Sequence, residues 1–141
     1  MITTKIINNI DEMILFSRQI ALNIEPRKTI ALYGSLGVGK SFFAKNFINS
    51  LQDKPSNVLS PTFNIVYSYA TVKGEIYHFD LYRLKHEQEL ENIGFFAVLK
   101  NYITLIEWPE IAAKYLPNDT MKITINNVGN DSESRAITIE V

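Results

Sequence analysis

The chain has 141 residues, no cysteine, 46% hydrophobic residues and a formal net charge of -1. That length predicts one domain, spanning 1–141, which buries about 68–70% of its unfolded surface and so needs no disulfide or metal to fold. The charge balance excludes a protein whose main task is to grip nucleic acid through its phosphates. The missing cysteines exclude disulfides and thiolate metal sites.

No segment approaches the ~18 apolar residues of a membrane span. The first residues lack the basic-then-apolar order of a secretory leader, so the cytoplasm is the expected compartment.

Residues 10 to 24 read as an amphipathic helix, with Ile10, Met13, Ile14, Ile20, Ala21 and Ile24 as its core positions. Asn9 followed by Glu12 resembles a capping box with Asn in place of Ser or Thr. Thr29-Ile30-Ala31-Leu32-Tyr33 is a short β-branched and aromatic run, the pattern of a buried strand. Gly34-Ser35-Leu36-Gly37-Val38-Gly39-Lys40-Ser41 follows, which fits the phosphate-loop pattern of Gly, four residues, Gly, Lys and Ser or Thr. Phe43, Phe47, Ile48 and Leu51 then recur at helical spacing. The unit from 29 to 52 is therefore strand, glycine loop and helix, the setting in which this motif has a mechanism.

Glycines let backbone N–H groups approach phosphate oxygens, and the helix N-terminus adds partial positive charge. Lys40 is placed to reach the β- and γ-phosphates, and the Ser41 hydroxyl to bind Mg²⁺. Gly37, Val38, Gly39, Lys40, Ser41 and Phe42 are thus the expected nucleotide contacts.

Residues 53 to 62, with Pro55, Ser56, Asn57, Ser60 and Pro61, read as a loop. Phe63 to Val72 and Glu75 to Leu81 read as strands of a hairpin turning at Lys73-Gly74. A helix is expected from His86 to Asn92, with Gly94 as a break before the apolar stretch Phe95 to Leu99. Ile103 to Ile106 is a second buried-strand pattern, and Glu110 to Tyr115 makes one or two helical turns after Pro109. Met121 to Val128 and Ala136 to Val141 close the chain as a strand pair around Gly129-Asn130-Asp131. The mixture predicts an α/β fold of the P-loop kind, a mixed sheet with a parallel centre, antiparallel additions and flanking helices.

A phosphate loop needs an acid for Mg²⁺ and a group that orients the attacking water. Glu107, after Ile103 to Ile106, and Asp80, after Ile76 to Phe79, each end an apolar strand. Ligand crevices in open α/β sheets lie at the carboxyl ends of strands, so both acids are candidates; the alternative is that each ends its strand in solvent. Thr62 is either a hydroxyl sensing the γ-phosphate or an ordinary turn threonine. Trp108 packs beside the nucleotide or in the core, and His78 reads as a packed strand residue rather than a catalytic base. Glu87, Glu89 and Glu91 read as a solvated acidic face.

Five segments in this order resemble one family: Gly34 to Ser41, Ser60-Pro61-Thr62-Phe63, His78 to Leu84, Glu89-Leu90-Glu91 with Gly94, and Glu107-Trp108-Pro109-Glu110. The family is TsaE, formerly YjeE, the bacterial P-loop ATPases of tRNA threonylcarbamoyladenosine synthesis. The resemblance implies ATP and Mg²⁺ as ligands and a TsaD–TsaB pair as partners, with tRNA met only indirectly through them. It implies that Ser41 and Glu107 hold Mg²⁺, that Lys40 and Asp80 serve hydrolysis, that Thr62 lies on a switch-like loop and that Trp108 sits by the nucleotide. Asp11 and Glu12 resemble a family segment near the adenine, of which Glu12 is carried over as a site residue. Ser35 stands where the family usually has an acid, and Ser41 where it more often has Thr.

Of the chain's arginines, Arg83 alone lies within one of these motifs, so slow turnover is expected alone and faster turnover with partners. A small-molecule kinase is the rival reading; it would call for an arginine-rich lid, and after the phosphate loop the chain offers Arg83 and Arg135. A guanine-nucleotide switch would carry an Asn-Lys-x-Asp motif, which this sequence lacks.

Overall fold

The computed structural model describes all residues from Met1 to Val141. The elements run β1 (Ile2–Ile7), α1 (Ile10–Asn23), β2 (Thr29–Tyr33), α2 (Lys40–Ser50), β3 (Val66–Thr71), β4 (Gly74–Asp80), α3 (Gln88–Asn92), α4 (Phe95–Asn101), β5 (Ile103–Glu107), a 3₁₀ helix (Pro109–Tyr115), β6 (Met121–Val128) and β7 (Asp131–Glu140). The strands form one seven-stranded sheet in the order β1-β7-β6-β2-β5-β4-β3. Strand β2 pairs in parallel with β5 and β6, and β4 in parallel with β5. The outer pairs β1–β7, β6–β7 and β3–β4 are antiparallel. The expected parallel centre with antiparallel additions is present.

Strands β2 and β5 are buried along nearly their whole length, which is why both read as unbroken apolar runs. Helices α1 and α2 cover one face, where Phe16, Phe43 and Phe47 pack with Ile30, Leu32, Leu105 and Ile123. The other face carries Phe79, Ile106, Phe95 and Leu99 beneath α3 and α4. Each fully buried phenylalanine contributes about 1.5–3 kcal/mol by leaving water. No helix is long and apolar enough to cross a membrane.

Several expectations shift in detail. In α1, Met13, Phe16 and Ala21 are buried, whereas Ile10 and Ile14 lie open. The buried stripe is thus rotated toward Phe16, a position the sequence reading passed over. Strand β3 starts at Val66, not Phe63, because Ile65 takes a left-handed backbone (φ 71°) and turns the chain. Phe63 stands in solvent. The hairpin pairs Thr71 with Gly74, so Val72-Lys73 is the two-residue turn and Gly74 begins the return strand. Strand β7 starts at Asp131, five residues before the expected Ala136, and the edge strand β1 was not foreseen.

Candidate functional site

Register places the chemistry. Leu32 near the end of β2 lies beside Glu107 at the end of β5, and Glu107 lies beside Asp80 at the end of β4. Three parallel strands therefore end side by side, delivering the glycine loop, one carboxylate and a second carboxylate to a single sheet edge.

The loop's backbone demands glycine. Gly34 has φ 144°, and a Cβ there would lie 2.5 Å from the Ile125 carbonyl oxygen on β6. Gly39, with φ 121°, is the N-cap of α2, so the helix begins at Lys40 with its free amides facing the loop. From β7, the Arg135 Nε–H donates to the Val38 carbonyl at 2.8 Å and braces the loop from behind.

A cavity of about 270 Å³ opens at this edge, lined by Gly37, Gly39, Lys40, Ser41, Phe42, Ser60, Thr62, Asp80, Glu107 and Trp108, with Leu36 at its rim. The Lys40 ammonium donates to the carbonyls of Gly34 and Ser35 and lies 3.7 Å from the centre of the Trp108 ring. Burial pushes this ammonium below the ordinary lysine value, against the upward pull of Glu107, Glu110 and Asp80. Phosphate oxygens placed beside it would reverse that shift. Nucleotide binding at alkaline pH is therefore expected to take up protons, and affinity to fall as pH rises toward the ordinary lysine range. Calorimetry in two buffers of different ionisation enthalpy measures the uptake; equal heats in both would refute it.

The Ser41 hydroxyl lies 2.9 Å from both Glu107 carboxylate oxygens. Glu107 is almost fully buried, yet it lines the cavity. A hydroxyl and a carboxylate converging in this way are hard oxygen donors suited to Mg²⁺, which takes one or two protein ligands and completes its shell with phosphates and water. No cluster of three or more His, Cys, Asp or Glu forms an all-protein cage.

Asp80 is held on both oxygens: Oδ1 accepts from the Tyr82 N–H at 3.0 Å and Oδ2 from the Thr62 hydroxyl at 3.2 Å. Thr62 meets the Ser60 hydroxyl at 2.8 Å, and Ser60 approaches Ser41 at 3.5 Å. A row of hydroxyls thus joins the two carboxylates across the loop that follows α2. Trp108 is half-buried in a left-handed backbone (φ 53°), and its ring packs on Tyr82 at 4.8 Å.

Behind the glycine loop lies a second hollow of about 210 Å³, largely apolar, lined by Ile10, Met13, Val38, Gly39, Phe42, Ser132, Glu133 and Arg135. It shares Gly39 and Phe42 with the first, so the two hollows meet at the start of α2. Val38 faces this side. Glu12 lines neither hollow: its carboxylate accepts from the Asn8 backbone and side-chain amides, while Asn9 caps the Glu12 N–H at 2.9 Å. The α1 residues that line the hollow are Ile10 and Met13, on either side of Asp11 and Glu12. Arg83 is exposed and lies over the Phe63 ring, outside the cavity lining. Two contributors escaped the sequence reading. Arg135 comes from the far end of the chain with no local pattern to mark it, and His78, read as packing, lies 2.6 Å from Glu107.

Strand, glycine loop, helix and paired carboxylates on a parallel sheet edge define a protein of the P-loop class. The model of the family described as "Threonylcarbamoyl adenosine biosynthesis protein TsaE" matches residues 7–137, and the chain belongs to that family. It is 36% identical over 135 residues to the tRNA threonylcarbamoyladenosine biosynthesis protein TsaE of Rickettsia bellii, covering 96% of this chain and 94% of that one. The protein of the same name in Bacillus subtilis is 30% identical over 131 residues, covering 92% of this chain and 81% of its own. The crystal structure of Bacillus subtilis YdiB superposes with a TM-score of 0.74 at 26% identity, covering 99% of this chain and 84% of that chain.

Proposed function

We propose that this chain is a Mg²⁺-dependent ATPase which, in the cytoplasm, supports a TsaD–TsaB pair in the threonylcarbamoyl modification of tRNA adenosine. The observation that carries the reading is the single cavity in which the glycine loop, Lys40, the Ser41–Glu107 pair and the Thr62–Asp80 pair meet. The relatives' name supports the pathway, and the cavity supports the chemistry.

Backbone amides from Gly37 to Ser41 hold the phosphates of ATP, and the Lys40 ammonium turns from the Gly34 and Ser35 carbonyls toward the γ-phosphate. Ser41 and Glu107 would hold Mg²⁺, which would offset charge on the phosphate oxygens. Asp80, fixed on both oxygens, presents a carboxylate edge that orients the attacking water. The apolar hollow lined by Ile10, Met13, Val38 and Phe42, beside Glu12 in sequence, is proposed to take the base end of the nucleotide. No arginine enters the phosphate cavity, so charge on the transferring phosphoryl group is offset more fully when a partner adds a cation.

Phosphate release measured with and without the TsaD–TsaB pair tests the reading: slow release alone and faster release with the pair are expected, and equal rates count against it. Within the site, Asp80→Asn is expected to lower turnover about 10²-fold or more while leaving ATP affinity within about twofold, the signature of a group used in the reaction rather than in binding. An affinity loss as large as the rate loss would remove Asp80 from that role.

A further inference from the structure

Glu107 has a partner on the side away from the cavity. His78 is fully buried on β4, and its Nε2 lies 2.6 Å from Glu107 Oε2. Period-two alternation puts His78 on the face of β4 that carries Asp80, while Tyr77 and Phe79 pack on the opposite face. His78 pairs with Leu105 and Asp80 with Glu107, so the imidazole reaches diagonally along the strands to the carboxylate. It does not line the phosphate cavity.

The other ring nitrogen, Nδ1, is buried with no partner. An unpaired buried polar atom is costly, and an apolar side chain of this size would fill the space without it. The contact with Glu107 is the one polar interaction the ring makes. A carboxylate only accepts, so a proton on Nε2 makes the short contact a hydrogen bond and leaves a bare lone pair at Nδ1. The reverse tautomer would set lone pair against lone pair at 2.6 Å and orphan a buried N–H.

We infer that His78 is a positioning residue: its Nε2–H donates to Oε2 of Glu107 and fixes the carboxylate so that its remaining oxygen sites face Ser41 and the cation. The inference rests on the metal role proposed above for Ser41 and Glu107. Groups that orient metal ligands in this way typically account for 10–100-fold in metal affinity.

The test titrates Mg²⁺ against each protein at fixed ADP, with emission from the single tryptophan, Trp108, reporting binding. His78→Phe keeps the ring's bulk without the donor, and His78→Gln keeps an N–H near the Nε2 position. The free Mg²⁺ giving half response is expected to rise about tenfold or more in His78→Phe and to stay within about threefold of wild type in His78→Gln, with metal-free ADP affinity unchanged in both. A His78→Phe protein with wild-type metal dependence, or a glutamine variant no better than phenylalanine, overturns the inference. Wild type whose ADP affinity ignores Mg²⁺ overturns the parent reading and this one with it. Ring ¹⁵N spectra of the wild-type protein, assigned against His86→Gln because the chain has 2 histidines, require no core variant to fold. They are expected to show His78 protonated at Nε2, and an unprotonated Nε2 overturns the inference.

Discussion

Lys40→Ala is expected to weaken ATP binding about 10²–10³-fold and to remove measurable hydrolysis, the scale set by losing one preorganised cationic donor to a phosphoryl oxygen. Lys40 is nearly buried, with an exposure of 5%, so its stem is already ordered before the ammonium turns to the phosphates. That preorganisation makes the charge worth more than a solvated lysine's. The variant also leaves two carbonyls short of a donor, a penalty of about 1 kcal/mol that lowers the melting temperature by a few degrees. Calorimetry with ADP and ATP, beside a thermal melt by circular dichroism, separates the two effects. Unchanged affinity in a folded sample would remove the phosphate-binding role from the loop.

Gly34→Ala attacks the same loop through its backbone. The added Cβ would sit 2.5 Å from the Ile125 oxygen and 2.8 Å from Val38 Cγ1, at a φ of 144° that L-residues avoid. The oxygen belongs to β6, whose pairing with β2 runs to Tyr33, so relief requires the sheet or the loop to move. Strain and overpacking together are expected to cost roughly 3 kcal/mol, read as a lower urea midpoint, with weaker nucleotide binding in the fraction that folds. Gly37→Ala is the control: nothing lies within 4 Å of its Cβ, and its φ of 76° costs only about 1–2 kcal/mol. Equal losses in the two variants would mean that the close approach to Ile125 carries no weight.

Much of the site was legible because its parts announce themselves locally. The glycine spacing, the strand before it and the helix after it are contiguous, and Asp80 and Glu107 each terminate a buried strand. What joins them, the β2-β5-β4 order, follows from parallel pairing and could be expected as a class but not read residue by residue.

Elsewhere, distance or direction hid the answer. Arg135 acts on Val38 across 97 positions, and no window of sequence contains both. Strand β1 shows no alternation because five of its six residues are exposed at a sheet edge. Glu12 carries a capping signature that the structure bears out at Asn9, and that local duty leaves its carboxylate engaged with Asn8. His78 did leave a trace: it stands two residues before Asp80 and so shares its face. Reading it between its aromatic sequence neighbours compared it with the wrong side of the sheet.

The brace from Arg135 has a consequence for the order in which the molecule is built. On the ribosome, strand β2, the glycine loop and α2 emerge early, long before the residue that will support Val38 from behind. The Ile125 carbonyl that abuts Gly34 is likewise supplied late. The two contacts that brace the finished loop are therefore complete only once β6 and β7 have joined the sheet.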